Sequence, residues 1–208
     1  MTLAQSAAQL SIASPCGKAR RNLPALWLLS DEARLPDPRP ALLRLAPGSG
    51  FIFRHYESGG REAIARELLR LCRGRRIMFL LGGDWRMAHR IRANGVHLPE
   101  HRAYQARAIH NAMPGAIVTA AAHSLRAARY AFRAGADAVL LSPVFATRSH
   151  PGSPVMGAVR FAGTVRRAQL PVIALGGVNA YNARRLNGSG AAGIAAIAGL
   201  ARNNARTD

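Results

Sequence analysis

Residues 116–145 read AIVTAAAHSLRAARYAFRAGADAVLLSPVF, and this stretch predicts a strand, a helix and a second strand in succession. Its two ends are short and almost continuously apolar, as in parallel strands that are covered on both faces. Between them, the segment 124–136 begins with Ser124, a residue typical of helix N-caps, and contains Gly135 where a C-cap glycine belongs. The stretch therefore predicts one βαβ unit of a parallel sheet.

The same alternation extends over most of the chain. Six further strands are predicted at 25–30, 51–56, 76–82, 95–99, 171–177 and 192–199. Helical periodicity predicts a helix over 61–73, and an Asn-Gly pair closes a short predicted helix over 179–191. Eight strands that alternate with helices favour a closed (β/α)8 TIM barrel of the α/β class. An open doubly wound sheet is the alternative, but no G-x-G-x-x-G motif follows the first strand to support it.

The length of 208 residues suits a single domain, and we expect the barrel to occupy residues 23–208. Residues 1–22 lack the basic start and long apolar core of a signal peptide, and we expect a loose leader that is a candidate for disorder. The chain after Leu200 is short and polar, so the leader or a partner subunit is expected to cover the barrel surface there. Cys16 and Cys72 have no metal or redox spacing, which is typical of reduced thiols in a cytoplasmic protein. No apolar segment is long enough to span a membrane.

The net charge of +19 raises the question of nucleic-acid binding. Lys18 is the only lysine among 29 basic residues, the arginines are spread through helical segments, and few aromatic side chains are present to stack on bases. We therefore expect a solvated arginine-rich surface that attracts anions nonspecifically, and nucleic-acid binding ranks last among the candidate functions. A homo-oligomer is compatible with the sequence.

Function in a barrel of this type belongs to the carboxyl ends of the strands. The small residues of ALGGV (174–178) and AIAGL (196–200) follow the last two predicted strands, where backbone N–H groups and a following helix N-terminus can bind phosphate. A simple tight turn at Gly176–Gly177 is the alternative. The loop at 142–153 is rich in hydroxyl groups and can close over a phosphorylated ligand, unless it is an ordinary surface loop.

Histidines occupy two of the predicted strand ends. His97, Glu100 and His101 do not have the spacing of an H-E-x-x-H zinc site, and we expect His97 to be a hydrogen-bonding wall of the barrel mouth. His123 ends the strand predicted at 116–123. It is either a structural side chain or a group that transfers a proton.

Five segments in order resemble the thiamine phosphate synthase/TenI family: GVHLP (95–99), AHS (122–124), GADAVLLSPVFATRSHPG (135–152), PVIALGGVN (171–179) and GAAGIAAIAGL (190–200). The resemblance extends roughly over residues 26–200. It implies a (β/α)8 barrel and a small ligand built on thiazole phosphate or a related compound of the thiamine pathway. The residues that it implies for substrate and phosphate binding are Arg54, Thr147, Ser149, Gly176, Gly177, Ala198 and Gly199.

The chain departs from the pattern of the Mg²⁺-dependent synthases in this family. Their Asn-Asp pair after the third strand corresponds to Gly82–Gly83, and a second aspartate corresponds to Arg102. These departures concern the metal, pyrophosphate and pyrimidine, whereas the thiazole-phosphate side is retained. The segment HLPEH (97–101) also resembles the TenI branch, which isomerises a thiazole carboxylate phosphate without a metal. The histidine of that branch corresponds to His123.

The leading hypothesis is therefore a TenI-like thiazole tautomerase, an isomerase that needs no metal or other cofactor. His123 would transfer the proton, because histidine is a base near neutral pH. One alternative is a thiamine phosphate synthase, a transferase whose Mg²⁺ site is rebuilt from Asp31, Asp84 or Glu100. The other is a catalytically silent paralogue that binds a phosphorylated ligand for regulation or channelling.

Overall fold

A computed structural model describes residues 2–13, 23–147 and 154–197. Eight parallel strands form a closed barrel in chain order, and β1 pairs with both β2 and β8. Strands β1 to β8 span Leu26–Leu29, Gly50–Phe53, Met78–Gly82, Gly95–Leu98, Ile117–Ala122, Ala138–Leu141, Val172–Ala174 and Gly193–Ala196. Helices α1 to α7 span Leu3–Ala13, Arg39–Arg44, Arg61–Gly74, Trp85–Ile91, Ala106–Ala112, Leu125–Ala134 and Gly157–Arg167. Two 3-10 helices span Glu100–Gln105 and Ala183–Leu186. The predicted (β/α)8 barrel is confirmed.

Strand side chains alternate between the barrel interior and the layer beneath the helices. The interior cluster consists of Trp27, Leu29, Ile52, Leu80, Ile117, Ala138, Leu140, Ile173 and Ala195. Their strand neighbours, such as Leu28 and Phe53, pack outward in a second buried cluster with the helices. Gly50 leaves room for Trp27, because a Cβ atom at Gly50 would overlap the indole ring. This part of the barrel interior is therefore a packed apolar core. Polar side chains that could bind a ligand are expected at the carboxyl ends of the strands.

The βαβ unit of residues 116–145 forms as the sequence predicts. The Ser124 hydroxyl accepts a hydrogen bond of 3.1 Å from the N–H of Ala127, which caps α6. Gly135 ends the helix in the left-handed region, with φ +93°. Both predicted caps are confirmed, and they place His123 and Ser124 at the point where β5 gives way to α6.

The region after β7 differs from the predicted helix over 179–191, since only the 3-10 turn Ala183–Leu186 forms there. The Asn179 side chain accepts hydrogen bonds from the N–H groups of Tyr181 and Asn182, and the Asn182 side chain donates to the carbonyl of Gly177. These side-chain bonds stabilise a compact turn instead of a helix. The helix dipole expected behind Gly176–Gly177 is therefore not provided by this segment.

The N-terminal segment also differs from the expected loose leader, because Leu3–Ala13 is an α-helix. Leu3, Ala7 and Leu10 recur at helical spacing and are buried. Through them α1 packs on β8 and β1 and on the turn Ala183–Leu186. The helix thus covers the barrel where the sequence predicted cover by the leader or a partner. The domain boundary at residue 23 stays a prediction, as residues 14–22 lie outside the described ranges.

Among the described helices, none combines the length and the apolar character that crossing a membrane requires.

Candidate functional site

The carboxyl ends of β1 to β8 form the mouth of the barrel, where the predicted site residues are expected. The structure describes five of them there: Arg54 after β2, His123 after β5, Thr147 in the loop after β6, and Gly176 and Gly177 after β7. Ser149, Ala198 and Gly199 lie outside the described residues.

The imidazole of His123 is exposed, and its partners are the backbone carbonyl and the side-chain hydroxyl of Ser142 at the end of the neighbouring strand. Its Nδ1 lies 3.0 Å from the carbonyl oxygen of Ser142 and 3.3 Å from the Ser142 hydroxyl. Because a carbonyl oxygen only accepts hydrogen bonds, Nδ1 carries the proton. In the neutral ring, Nε2 therefore has the free lone pair. This arrangement presents a base to the mouth of the barrel.

Glu100 supports His123 from the other side. Its Oε2 accepts a hydrogen bond of 2.8 Å from the backbone N–H of His123. Glu100 begins the 3-10 helix that follows β4, so the loops after β4, β5 and β6 meet at the histidine. The sequence suggests Glu100 only as a candidate metal ligand and does not indicate this contact. Its position directly after a strand end was the available signal.

His97 lies below the mouth, inside the barrel and almost fully buried. Its Nδ1 is 2.9 Å from the hydroxyl oxygen of Thr119. Burial lowers the pKa of His97 to about 3, and the positive charge of Arg54 acts in the same direction. His97 is therefore neutral at physiological pH. The expected hydrogen bond is present, but it lies within the buried wall of the barrel and not at the mouth.

Arg54 lies at the mouth with part of its charge compensated. Its backbone N–H donates a hydrogen bond of 2.8 Å to the Ser30 hydroxyl, and its guanidinium lies 3.8 Å from Oδ2 of Asp31. Asp31 is itself engaged by Arg34, whose hydrogen bond, followed by the charge of Arg54, holds the pKa of Asp31 below its usual value. Arg54 thus presents a positive charge beside a carboxylate that is already bound elsewhere.

The Gly176–Gly177 turn is packed tightly against the loop that follows β6. Both glycines have positive φ, +90° and +67°. A Cβ atom at Gly176 would lie 2.8 Å from Pro143 Cα, and one at Gly177 would overlap the carbonyl oxygen of Ala146. Packing therefore accounts for both glycines. Among the described residues, the N–H groups of Gly176, Gly177 and Val178 donate to no protein acceptor, so the turn can also bind an anion.

The carboxylates considered for a rebuilt Mg²⁺ site have other partners. Asp84 caps α4 by accepting from the N–H of Met87 at 2.9 Å, Asp31 pairs with Arg34, and Glu100 binds the N–H of His123. In the ranges that the structure describes, no three His, Cys, Asp or Glu side chains form a group that could hold a metal. Because Mg²⁺ binds through carboxylate oxygens, these residues do not fit the ion that the family implies.

A cavity of about 510 Å³ opens beside this site, at the ends of β2, β3 and β4. We call it the arginine cavity, after the three arginines in its wall. The charged and aromatic side chains that line it include Arg61, Asp84, Trp85, Arg86, His101 and Arg102. In the sequence, Arg61 is one of many arginines dispersed through helical segments. Arg61 and Arg86 both occur in the first turn of a helix that follows a strand, which is the mouth side of a barrel and was the missed signal.

The chain is similar to known proteins of one family. The family model described as TMP-TENI, thiamine monophosphate synthase, matches residues 45–200. A putative thiamine-phosphate synthase 2 from Aquifex aeolicus is 34% identical over 134 residues, which cover 64% of this chain and 72% of that protein. A thiamine-phosphate synthase from Geobacillus thermodenitrificans is 31% identical over 191 residues, 85% of this chain and 84% of that protein. The structure of a thiamine phosphate pyrophosphorylase from Pyrococcus furiosus superposes with a TM-score of 0.71 at 27% identity, covering 85% of this chain and 86% of that one.

Proposed function

The chain belongs to the thiamine monophosphate synthase family, and we propose that within it the protein is a metal-independent thiazole tautomerase in which His123 transfers the proton. The predicted family is confirmed, and with it a place among enzymes of thiamine biosynthesis. The comparisons do not distinguish the TenI branch, because the named relatives are synthases. A cytoplasmic location belongs to the same proposal.

The observation that carries the proposal is the hydrogen bond from His123 to the Ser142 carbonyl. Tautomerisation removes a proton from one carbon, shifts the electrons of that bond into the ring, and returns a proton at another position. Nε2 of His123 can accept the first proton, and the resulting imidazolium keeps its Nδ1–H bond to Ser142. The same proton can then be delivered back, so the reaction balances without an oxidant, a reductant or a metal.

The phosphate of the substrate would bind at the turn after β7. The N–H groups of Gly176, Gly177 and Val178 are the donors that the described residues offer there. Thr147, together with Ser149, Ala198 and Gly199, belongs to this proposed subsite on the grounds of sequence. Arg54 would face the other anionic end of the substrate. The high positive charge of the chain raises the local concentration of any such anion.

A thiamine phosphate synthase is the second candidate, since relatives at 31% and 34% identity carry that name. The substrates of that reaction include a diphosphate, whose departure Mg²⁺ would assist by neutralising charge. Asp31, Asp84 and Glu100 would have to release their present partners to bind the ion. This requirement is why we rank the tautomerase first.

Two parallel assays separate these candidates. Aromatisation of the thiazole carboxylate phosphate is followed in the presence of EDTA for wild type, His123→Ala and His89→Ala. His89 is an exposed histidine near the end of α4 and serves as the control. Loss of a general base predicts a rate reduction of about 10²-fold to 10⁴-fold for His123→Ala, and wild-type rates for His89→Ala. Equal rates in all three proteins would end the proposal.

The second assay supplies thiazole phosphate and hydroxymethylpyrimidine diphosphate and measures pyrophosphate release. Release that depends on Mg²⁺ would establish the synthase and contradict the tautomerase. Tight binding of thiazole phosphate without turnover in either assay would instead identify a silent paralogue.

A further inference from the structure

We infer that Asn182 is a positioning residue: its carboxamide fixes the peptide unit between Gly177 and Val178, and this gives the turn after β7 its preference for a phosphorylated ligand. The inference rests on the phosphate subsite of the proposed function, and it names the side chain on which the geometry of that subsite depends. It does not rest on proton transfer by His123.

Two carbonyl groups of the turn are held by the loop that follows β6. The carbonyl of Leu175 accepts a hydrogen bond of 3.0 Å from the N–H of Val144, and the carbonyl of Gly176 accepts one of 3.0 Å from the N–H of Phe145. In a planar trans peptide unit, the C=O and N–H bonds point in opposite directions. These two hydrogen bonds therefore direct the N–H groups of residues 176 and 177 away from that loop.

The next carbonyl of the turn is held by a side chain. The carbonyl of Gly177 accepts a hydrogen bond of 2.8 Å from Nδ2 of Asn182, which directs the N–H of Val178 the opposite way. The donors to the first two carbonyls are backbone groups, and these remain when a side chain is replaced. The direction of the Val178 N–H is therefore the one that a substitution at Asn182 can change.

The carboxamide of Asn182 is used at both of its ends. Its Oδ1 accepts a hydrogen bond of 2.9 Å from the backbone N–H of Asn179, while its Nδ2 donates to Gly177. Because an N–H only donates and a carbonyl only accepts, these partners fix the orientation of the amide. The two bonds hold the backbone on either side of Val178. A carboxylate at position 182 would lack the donor, and an aliphatic side chain would lack both groups.

The direction of the Val178 N–H matters for an anion more than for the rest of a ligand. Within the described ranges, the N–H groups of Gly176, Gly177 and Val178 have no acceptor, and consecutive N–H groups of this kind bind anionic oxygens. Such bonds weaken steeply when the donor is misaligned. Rotation of the peptide unit would also turn the Gly177 carbonyl, which is an acceptor, towards the phosphate. The loss therefore falls on the phosphate and not on the thiazole ring.

The first test measures, by calorimetry, the affinities of wild type and variants for thiazole phosphate and for the corresponding unphosphorylated thiazole alcohol. The variant is Asn182→Ala. The control is Asn187→Ala, which removes an exposed amide at the end of the 3-10 helix Ala183–Leu186. We expect the preference for the phosphorylated ligand to fall at least about 10-fold in Asn182→Ala and to be unchanged in Asn187→Ala. Affinity for the alcohol should stay near that of wild type in both.

The second test follows the Val178 amide by NMR in ¹⁵N-labelled protein. A hydrogen bond to phosphate should move its proton signal downfield when thiazole phosphate is added to wild type or Asn187→Ala, and the shift should be lost in Asn182→Ala. Asn182→Asp is the second variant if Asn182→Ala does not fold, because its carboxylate still accepts from the N–H of Asn179. Its control, Asn187→Asp, carries the same added charge. The preference should be lower in Asn182→Asp than in this control.

Four outcomes would overturn the inference. They are an unchanged preference in the variants at position 182, an equal loss of affinity for both ligands, a retained shift of the Val178 amide, and a wild type without any preference for the phosphorylated ligand. An equal loss for both ligands would mean that Asn182 only stabilises the fold of the turn.

The result is distinguishable from that of the tautomerase proposal because binding is measured without turnover. If wild type shows no aromatisation, the tautomerase is rejected while the role of Asn182 is still decided by binding. If aromatisation occurs, Asn182→Ala should raise KM about 10-fold with kcat near that of wild type, whereas loss of the base in His123→Ala lowers kcat.

Discussion

The Nδ1 atom of His123 is bound to the carbonyl oxygen of Ser142, 19 positions further along the chain and at the end of the next strand. A carbonyl acceptor fixes the tautomer of the ring and adds no full charge of its own. It therefore orients the base while leaving Nε2 free for a proton.

Glu100 is expected to act as a positioning residue for His123. Removing its hydrogen bond to the His123 backbone, in Glu100→Ala, should lower kcat for aromatisation by roughly 10-fold, with a small change in KM. Glu100→Gln keeps an acceptor oxygen and should recover most of the rate. If Gln is as damaging as Ala, the carboxylate has a role other than accepting that bond.

Gly177 is expected to tolerate no side chain. Gly177→Ala adds a Cβ against the carbonyls of Ala146 and Phe145, whereas Gly188→Ala at a similar φ of +75° meets nothing within 4 Å. Backbone strain alone should make Gly188→Ala less stable by about 1–2 kcal/mol. Gly177→Ala should be clearly less stable than that in urea unfolding, and it should weaken binding of thiazole phosphate. Equal stability of the two variants would show that packing against the loop after β6 is unimportant.

His97 is expected to make the protein less stable as the pH falls. Its pKa is about 3 in the folded protein and has the ordinary value near 6.5 in the unfolded chain, so only the unfolded chain binds this proton between those values. Stability attributable to His97 is thus complete above pH 6.5 and is lost as the pH falls towards 3. Between pH 7 and pH 5 the loss is about 2 kcal/mol.

The measurement compares wild type with His97→Gln in urea unfolding at pH 7 and pH 5. Contributions of the other histidines are common to both proteins and cancel in the comparison. The variant should lose distinctly less stability than wild type over this interval. The same pH dependence in both proteins would mean that His97 is protonated in the folded barrel.

Leu10 is expected to anchor α1 to the barrel. It is 1% exposed, and truncation of a buried leucine costs about 2–5 kcal/mol, so Leu10→Ala should lower the unfolding free energy within or near that range. Gln9→Ala, on the exposed side of the same helix, should change stability by less than about 0.5 kcal/mol. If both variants match wild type, α1 contributes nothing to the folded barrel.

The local sequence pattern predicts that each strand exists more accurately than it predicts where the strand ends. All eight predicted strands occur, but several are shorter in the structure: the predicted strand 137–145 ends at Leu141, and 171–177 ends at Ala174. Beyond those points the apolar residues pack in loops, where Val144 donates to the carbonyl of Leu175 and Phe145 to that of Gly176. Apolar character signals burial, and burial in a loop looks the same in sequence as burial in a strand.

The sequence by itself determined the barrel and the family, because apolar runs, helix caps and motif order are local properties that can be read along the chain. It also placed His123 at a strand end. Only the tertiary structure decided which nitrogen of that ring carries the proton, that Glu100 binds its backbone, that α1 covers β8 and β1, and that Arg61, Arg86 and Arg102 share one cavity. Each of these depends on contacts between residues distant in sequence, and such contacts exist only once the strands have closed into a ring.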